Sequence, residues 1–314
     1  MGDTKSRIKI IENKSEIGAG TRGSSLGIDA LKVASLNWNS DFFTRHQSIV
    51  LEDFNYKLFD QLKYPKAKRI ESVIEMFEII AGQVSDQLLK NNFPILLSGD
   101  HSCAGGTIAG IKKAYPGKRL GVVWIDAHAD LHSPYTSPTG NLHGMSLATA
   151  LNSDNEDYRV QEIDSATKDL WKKLKSVGNI FPKITTRDLI YVGLRSTEEP
   201  EDYYISNNEI KNINVETVRR NGAESAANDI LNYLSNCDII YISFDVDSMD
   251  CDLISYGTGT PVQNGLTDQE ASSLINHLLI DKRTSCLEIV EINPCLDNKQ
   301  NKMAETSFRI LESA

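Results

Sequence analysis

The chain has 314 residues, 40% of them hydrophobic, which allows one large α/β domain or two smaller ones around a substantial core. A net charge of −10 disfavours nucleic acid as a partner, because phosphate binding needs clustered cations, and is compatible with a small cationic ligand. No apolar run approaches the ~18 residues of a membrane span, so no membrane partner is expected.

Met1–Arg7 lacks the apolar core of a signal peptide. Gly2 and Ser6 fit a myristoylation pattern, but no second lipid signal follows, and a cytoplasmic location is expected. The five cysteines, Cys103, Cys237, Cys251, Cys286 and Cys295, are scattered without a CxxC pair and read as reduced, mostly structural thiols.

Residues 7–12 read as a first strand. The glycine-rich stretch 18–27 follows neither dinucleotide nor P-loop spacing and reads as a loop entering a helix near 28–34. Residues 36–66 are irregular, with a short strand near 48–52. Apolar residues at threes and fours predict a helix over 68–90. A buried strand over 93–98 ends in Asp100-His101, and a helix then runs to about Tyr115. The apolar run Leu120–Ile125 ends in Asp126, His128 and Asp130, at i, i+2 and i+4. On an extended strand these three share a face; if the chain turns, they wrap around one centre or bridge two.

Residues 133–146 read as a loop and 147–151 as the start of a helix. Residues 152–182 form a polar, solvated excursion with a helical patch near 166–174. Strands follow at 188–192, 238–244 (ending in Asp245 and Asp247) and 285–290 (ending in Glu291), with helices at 226–234, 268–279 and 303–311. No linker marks a second domain, so residues 1–314 read as one domain.

Short apolar strands alternating with helices predict a mostly parallel sheet. In such a sheet, sites form at the carboxyl ends of the strands, so the four polar clusters converge. Two histidines and four aspartates exceed what one metal needs, and two divalent ions ~3.5–4 Å apart are the natural reading. An oxygen-rich set without cysteine favours Mn²⁺ over structural Zn²⁺, with Co²⁺ or another divalent ion able to compete. Cys103 lacks a base that would make it a nucleophile.

The motifs SGDHS (98–102), DAHADLH (126–132), GNLHG (140–144), SFDVDSMD (243–250), TGTPVQNGLT (258–267) and EINP (291–294) resemble those of the ureohydrolases, the family of arginases, agmatinases and formimidoylglutamases. The resemblance runs from about Pro94 to Pro294. It implies a three-layer α/β/α fold, and a homo-oligomer, trimeric or hexameric. It also implies two Mn²⁺ ions, one held by His101 and Asp130, the other by His128 and Asp247, with Asp126 and Asp245 as bridges. A hydroxide shared by the ions then attacks a guanidinium carbon, oriented by Asp130. His143 matches the proton shuttle, and Glu291 the carboxylate set against the guanidinium, with Thr260 assisting there.

Around DAHADLH and GLRSTEE the sequence resembles a divergent bacterial type of arginase, an enzyme that converts L-arginine and water to L-ornithine and urea. Thr139 and Asn141 then face the substrate carboxylate and Glu198 its ammonium. His132 stands where many arginases have Asn, and Glu198 where they have Asp. Action on agmatine or formiminoglutamate is the alternative, and a catalytically silent binding or regulatory relative is a third possibility; retention of all six ligands argues against silence.

Overall fold

The computed structural model describes residues 8–314, so the expectations for Met1–Arg7 lie outside the described residues. Eight strands, β1 (Ile8–Asn13), β2 (Ser48–Val50), β3 (Phe93–Ser98), β4 (Leu120–Ile125), β5 (Leu189–Val192), β6 (Lys211–Ile213), β7 (Ile239–Asp245) and β8 (Thr284–Val290), form one sheet in the order β2-β1-β3-β8-β7-β4-β5-β6. Every pairing in this sheet is parallel. The helices are α1 (Gly27–Asn37), α2 (Phe42–Arg45), α3 (Ile70–Leu89), α4 (Ala104–Ala114), α5 (Ser146–Leu151), α6 (Ser165–Ser176), α7 (Glu199–Asn207), α8 (Val215–Asn221), α9 (Ala223–Tyr233), α10 (Asp268–Ile280) and α11 (Lys302–Ser313).

β4 is buried along its whole length, as a strand covered on both faces must be. Its side chains alternate between two cores. Val122 and Trp124 join Phe77 and Ile80 of α3 and Ile108 of α4. Val123 and Ile125 join Ile230 of α9, Leu274 of α10 and Phe308 of α11. The result is the expected α/β/α sandwich. No helix among the described residues is long and apolar enough to cross a membrane.

Strand order positions the site. β7 and β8, late in the chain, insert between β3 and β4. Four adjacent strands, β3, β8, β7 and β4, therefore end side by side. The β4–β7 register pairs Ile125 with Phe244, so Asp126 and Asp245 follow at the same level.

Two expectations need correction. Residues 152–182 are anchored, because α6 buries Trp171 and Leu174 in the core beside α3. Trp171 also donates its indole N–H to Asp154 at 2.6 Å. The stretch between β5 and β7, in which only a helix near 226–234 was expected, also forms α7, β6 and α8.

Lys183, just past α6, is buried with its ammonium on the Lys175 carbonyl at 2.6 Å. Burial, aided by the nearby Lys175 charge, pushes its pKa from 10.5 down to about 8. The unfolded chain thus holds this proton more tightly, and Lys183 makes stability rise with pH between about 8 and 10.5. Denaturant titrations of wild type and Lys183→Met across that window should show the wild type gaining on the variant by up to about 3 kcal/mol. A constant difference between the two proteins would refute this.

Candidate metal centre

At the end of β3 the chain turns into α4 through a short 3₁₀ turn that carries His101. The ring is fixed before it meets any ligand: it stacks on Trp124 at 4.0 Å between centroids, and Nε2 hydrogen-bonds with the Ser243 hydroxyl at 2.7 Å. Its Nδ1 lies 3.0 Å from Asp126 Oδ2, 3.2 Å from Asp130 Oδ2 and 3.1 Å from Asp245 Oδ2. His128 Nδ1 lies 3.0 Å from Asp247 Oδ2 and 3.5 Å from Asp126 Oδ1. Two groups with metal-ligand spacing result, His101/Asp126/Asp130 and Asp126/His128/Asp247. Asp126 belongs to both and gives each a different oxygen. Asp245 stands with His101.

Backbone amides aim these carboxylates. The His128 N–H donates to Asp126 Oδ1 at 2.6 Å, the Asp247 N–H to Asp245 Oδ1 at 2.8 Å, and the Ala127 N–H to Asp247 Oδ1 at 3.2 Å. Asp130 reaches its place with a left-handed backbone, φ 52°, a conformation that costs a non-glycine residue.

The electrostatics call for a cation. Burial, reinforced by the Asp126 charge, raises Asp130 to about 6. Burial and the neighbouring aspartates raise Asp245 further, and burial also raises Asp247. At Asp126 burial works the same way, but the adjacent His101 and His128 imidazoles outweigh it and hold the group low. His101 Nδ1, Asp126 Oδ2 and Asp130 Oδ2 are buried without a hydrogen-bond partner and point at one another. Three orphaned ligand atoms of this chemistry, converging in a carboxylate-rich pocket, fit a divalent ion.

Beside this centre, His143 Nδ1 lies 3.3 Å from Glu291 Oε1. Burial works against its protonation, but the Glu291 carboxylate prevails and lifts His143 to about 9. Glu291 also accepts the His101 backbone N–H at 2.9 Å and, like Asp130, is left-handed, φ 67°. Asp100 takes a structural place: it accepts the Gly18 N–H at 2.9 Å and the Ser102 N–H at 2.8 Å, tying the glycine-rich loop to the site. A Cβ on Gly18 would sit 2.5 Å from Ser102 Oγ, and one on Gly20 would sit 2.6 Å from Asn141 Nδ2. That loop is glycine-rich because it lies flat on the site wall.

A cavity of about 320 Å³ opens onto the centre, lined by His101, His128, Asp130, Asp245, Asp247, His143 and Thr260, and also by His132, Thr139, Asn141 and Glu198. His132 Nε2 lies 3.4 Å from Glu198 Oε2 and 3.6 Å from Glu201 Oε2. Thr260 donates its hydroxyl to Asp247 Oδ2 at 3.0 Å, on the loop whose Gly259 lies against Glu291.

Three contributors are not evident in the sequence. Glu201 lines the cavity, is buried, and accepts the N–H groups of Leu131 and Glu198; burial pushes it up to about 7. Its trace in the sequence is a carboxylate three residues after Glu198 at a helix start, a capping-box spacing. Lys68 donates to Asn141 Oδ1 at 2.9 Å, which turns the amide's N–H₂ side toward Gly20 and the cavity. Arg195 clamps the loops after β7, donating to the carbonyls of Asp247 and Val262 at 2.9 Å each.

A parallel α/β/α sandwich with two ligand groups joined through one carboxylate at its strand ends has the architecture of a two-metal hydrolase. The family model described as Arginase matches residues 7–314. The arginase of Bacillus subtilis is 32% identical over 316 residues, covering 98% of this chain and 96% of that protein. The structure of Bacillus caldovelox arginase matches with a TM-score of 0.81 at 30% identity, covering 98% of this chain and 97% of the other. Entamoeba histolytica arginase in complex with L-ornithine matches with a TM-score of 0.82 at 28% identity, again over 98% and 97%. The chain belongs to the arginase family and is a hydrolase of the arginase type.

Because Asp126 serves both groups, Asp126→Asn should weaken binding of both ions. Equilibrium dialysis against Mn²⁺ should show a loss of more than about 100-fold, beyond that of an outer-shell change. Unchanged retention of two ions would remove Asp126 from its shared place.

Proposed function

We propose that this chain hydrolyses L-arginine to L-ornithine and urea at a centre of two divalent ions, with Mn²⁺ the preferred metal. The observation that carries this reading is the single cavity joining two ligand groups at one end to paired carboxylates and amide donors at the other. In this reading His101, Asp126, Asp130 and Asp245 hold one ion and His128, Asp126 and Asp247 the other. A bound pair of such ions supplies a water acidic enough to act as a nucleophile near neutral pH.

The protein's own groups do the rest. Asp130 accepts a hydrogen bond from the attacking water and fixes its approach. The water oxygen, with one proton already lost to solvent, bonds to the guanidinium carbon. As the bond from that carbon to the chain nitrogen breaks, the remaining hydroxyl proton passes through Asp130 to the leaving amine, which needs one more proton to leave as an ammonium. His143, held protonated by Glu291, donates it. Glu291 Oε2 lies toward Gly259 in the cavity wall, where a planar guanidinium can pair with it.

The outer end distinguishes arginine from agmatine. Arginine presents an α-ammonium to Glu198 and Glu201 and an α-carboxylate to Thr139 and the Asn141 amide; agmatine presents neither. Urea measured with Mn²⁺ present should appear from L-arginine and not from agmatine. No urea from L-arginine with Mn²⁺ or Co²⁺ overturns the reading, and preferential release from agmatine moves the assignment to that substrate.

Glu201→Gln keeps the shape and removes the charge. Its KM for arginine should rise about 10-fold, the worth of a hydrogen bond to a charged group, with kcat within about 3-fold of wild type. A fall in kcat alone would place Glu201 in the chemistry instead.

A further inference from the structure

The segment 154–161, within the excursion that precedes β5, touches two separate parts of the cavity wall. Its base is fixed: Asp154 Oδ1 accepts the Trp171 indole N–H at 2.6 Å and the Lys175 ammonium at 2.5 Å, which ties it to α6 and the core. From that base it reaches out in two directions.

On one side is the loop 133–141, which carries Thr139 and Asn141. Gln161 commits both hydrogens of its side-chain amide there, Nε2 donating to the carbonyls of Pro134 and Ser137 at 2.8 Å each. The Val160 and Gln161 N–H groups donate to the Tyr135 carbonyl at 3.1 and 3.2 Å, and Ser133 Oγ donates to the Asp154 carbonyl at 2.5 Å. Residues 133–137 are buried, so carbonyls deprived of these donors would have to shift to find others. Ser137 passes the constraint to the cavity. It lines the wall, its Oγ accepts the Gly140 N–H at 2.9 Å, and the same Oγ lies 3.5 Å from Thr139 Oγ1.

On the other side is the start of α7, which carries Glu201, with Glu198 just before it. Asn155 is buried, has a left-handed backbone of φ 48°, and donates its side-chain N–H to the Pro200 carbonyl at 2.8 Å. Tyr158 meets Tyr203 of the same helix, with ring centroids 5.2 Å apart. One short segment therefore holds both the loop with Thr139 and Asn141 and the helix start with Glu198 and Glu201. The carboxylate and ammonium of an α-amino acid share one carbon, so a site that pairs with both gains affinity from walls held at one separation.

We propose that Gln161 and Asn155 are positioning residues for the substrate tail: Gln161 holds the loop that meets the α-carboxylate, and Asn155 holds the helix start that meets the α-ammonium. The assignment rests on the L-arginine reading above.

Gln161→Met keeps the length of the side chain and removes both donors; Asn155→Ala removes the other tie. Urea release from L-arginine with Mn²⁺ gives KM and kcat. Inhibition by three compounds reads the two sides separately: L-ornithine has both groups, 5-aminopentanoate only the carboxylate, and pentylamine neither. In each variant KM should rise about 10-fold with kcat within about 3-fold of wild type. Gln161→Met should weaken L-ornithine and 5-aminopentanoate by a similar factor, Asn155→Ala L-ornithine alone, and neither should affect pentylamine. A general packing defect would instead weaken all three compounds alike or lower kcat with KM unchanged. Should Asn155→Ala fail to fold, Gln161→Met carries the test alone. That defect pattern, or wild-type KM and inhibition in these variants, overturns the positioning role and leaves the L-arginine reading intact. A wild-type chain that releases no urea from L-arginine overturns both.

Discussion

Asp126, Asp130, Asp245 and Asp247 are buried, and their carboxylates meet the imidazoles of His101 and His128 at 3.0–3.5 Å. Two like charges 4 Å apart repel by about 4 kcal/mol at an effective dielectric of 20, and burial adds to that cost. Two imidazoles cannot balance four carboxylates. The fold therefore has to hold the groups in place against their repulsion. It does so with backbone N–H donors at three of the four, and at Asp130 with a left-handed residue locked between β4 and the loop beyond. Rigid strand ends can supply such constraint, whereas a mobile loop would let the charges separate into water.

The same constraint explains the strand order. The Ala127 N–H is bonded to Asp247, 120 positions later in the chain. β7 and β8 enter the sheet between strands already laid out by β3 and β4, so the charge cluster is assembled by the last and most central pairings. Arg195 reinforces that closure from β5, holding the carbonyls of the β7 loop that the strand itself leaves unpaired. The centre is thus a property of long-range pairing, and no single segment contains it.

The central strands were legible in the sequence because each is an apolar run that stops abruptly at a polar cluster, and a parallel sheet gathers such stops at one edge. The α7–β6–α8 stretch was not. β6 is a three-residue, largely exposed edge strand, and the burial patterns of α7 and α8 are too sparse to show a period. Residues 152–182 misled for a related reason: many charges surround Trp171 and Leu174, and a composition dominated by charge hides two anchors. Within the site, residue types could be read from spacing, but partners could not. Thr260 beside Asp247, Asp100 on the glycine loop, and Glu201 under His132 each depend on contacts between distant segments.

Selectivity on the proposed reading follows from the same electrostatics at the outer end of the cavity. Glu201 is buried, and it pays part of the cost of its charge through two backbone donors. A substrate ammonium completes that compensation; a bare alkyl tail in the same place leaves a buried carboxylate facing apolar surface. Rejection of the smaller amine then needs no steric gate, because the penalty lies in what is left unpaired. Lys68 adds the complementary device by turning the Asn141 amide so that its donors face the cavity, ready for a carboxylate. A net charge of −10 points the same way, drawing a cationic substrate toward an acidic opening whose depth is already committed to cations.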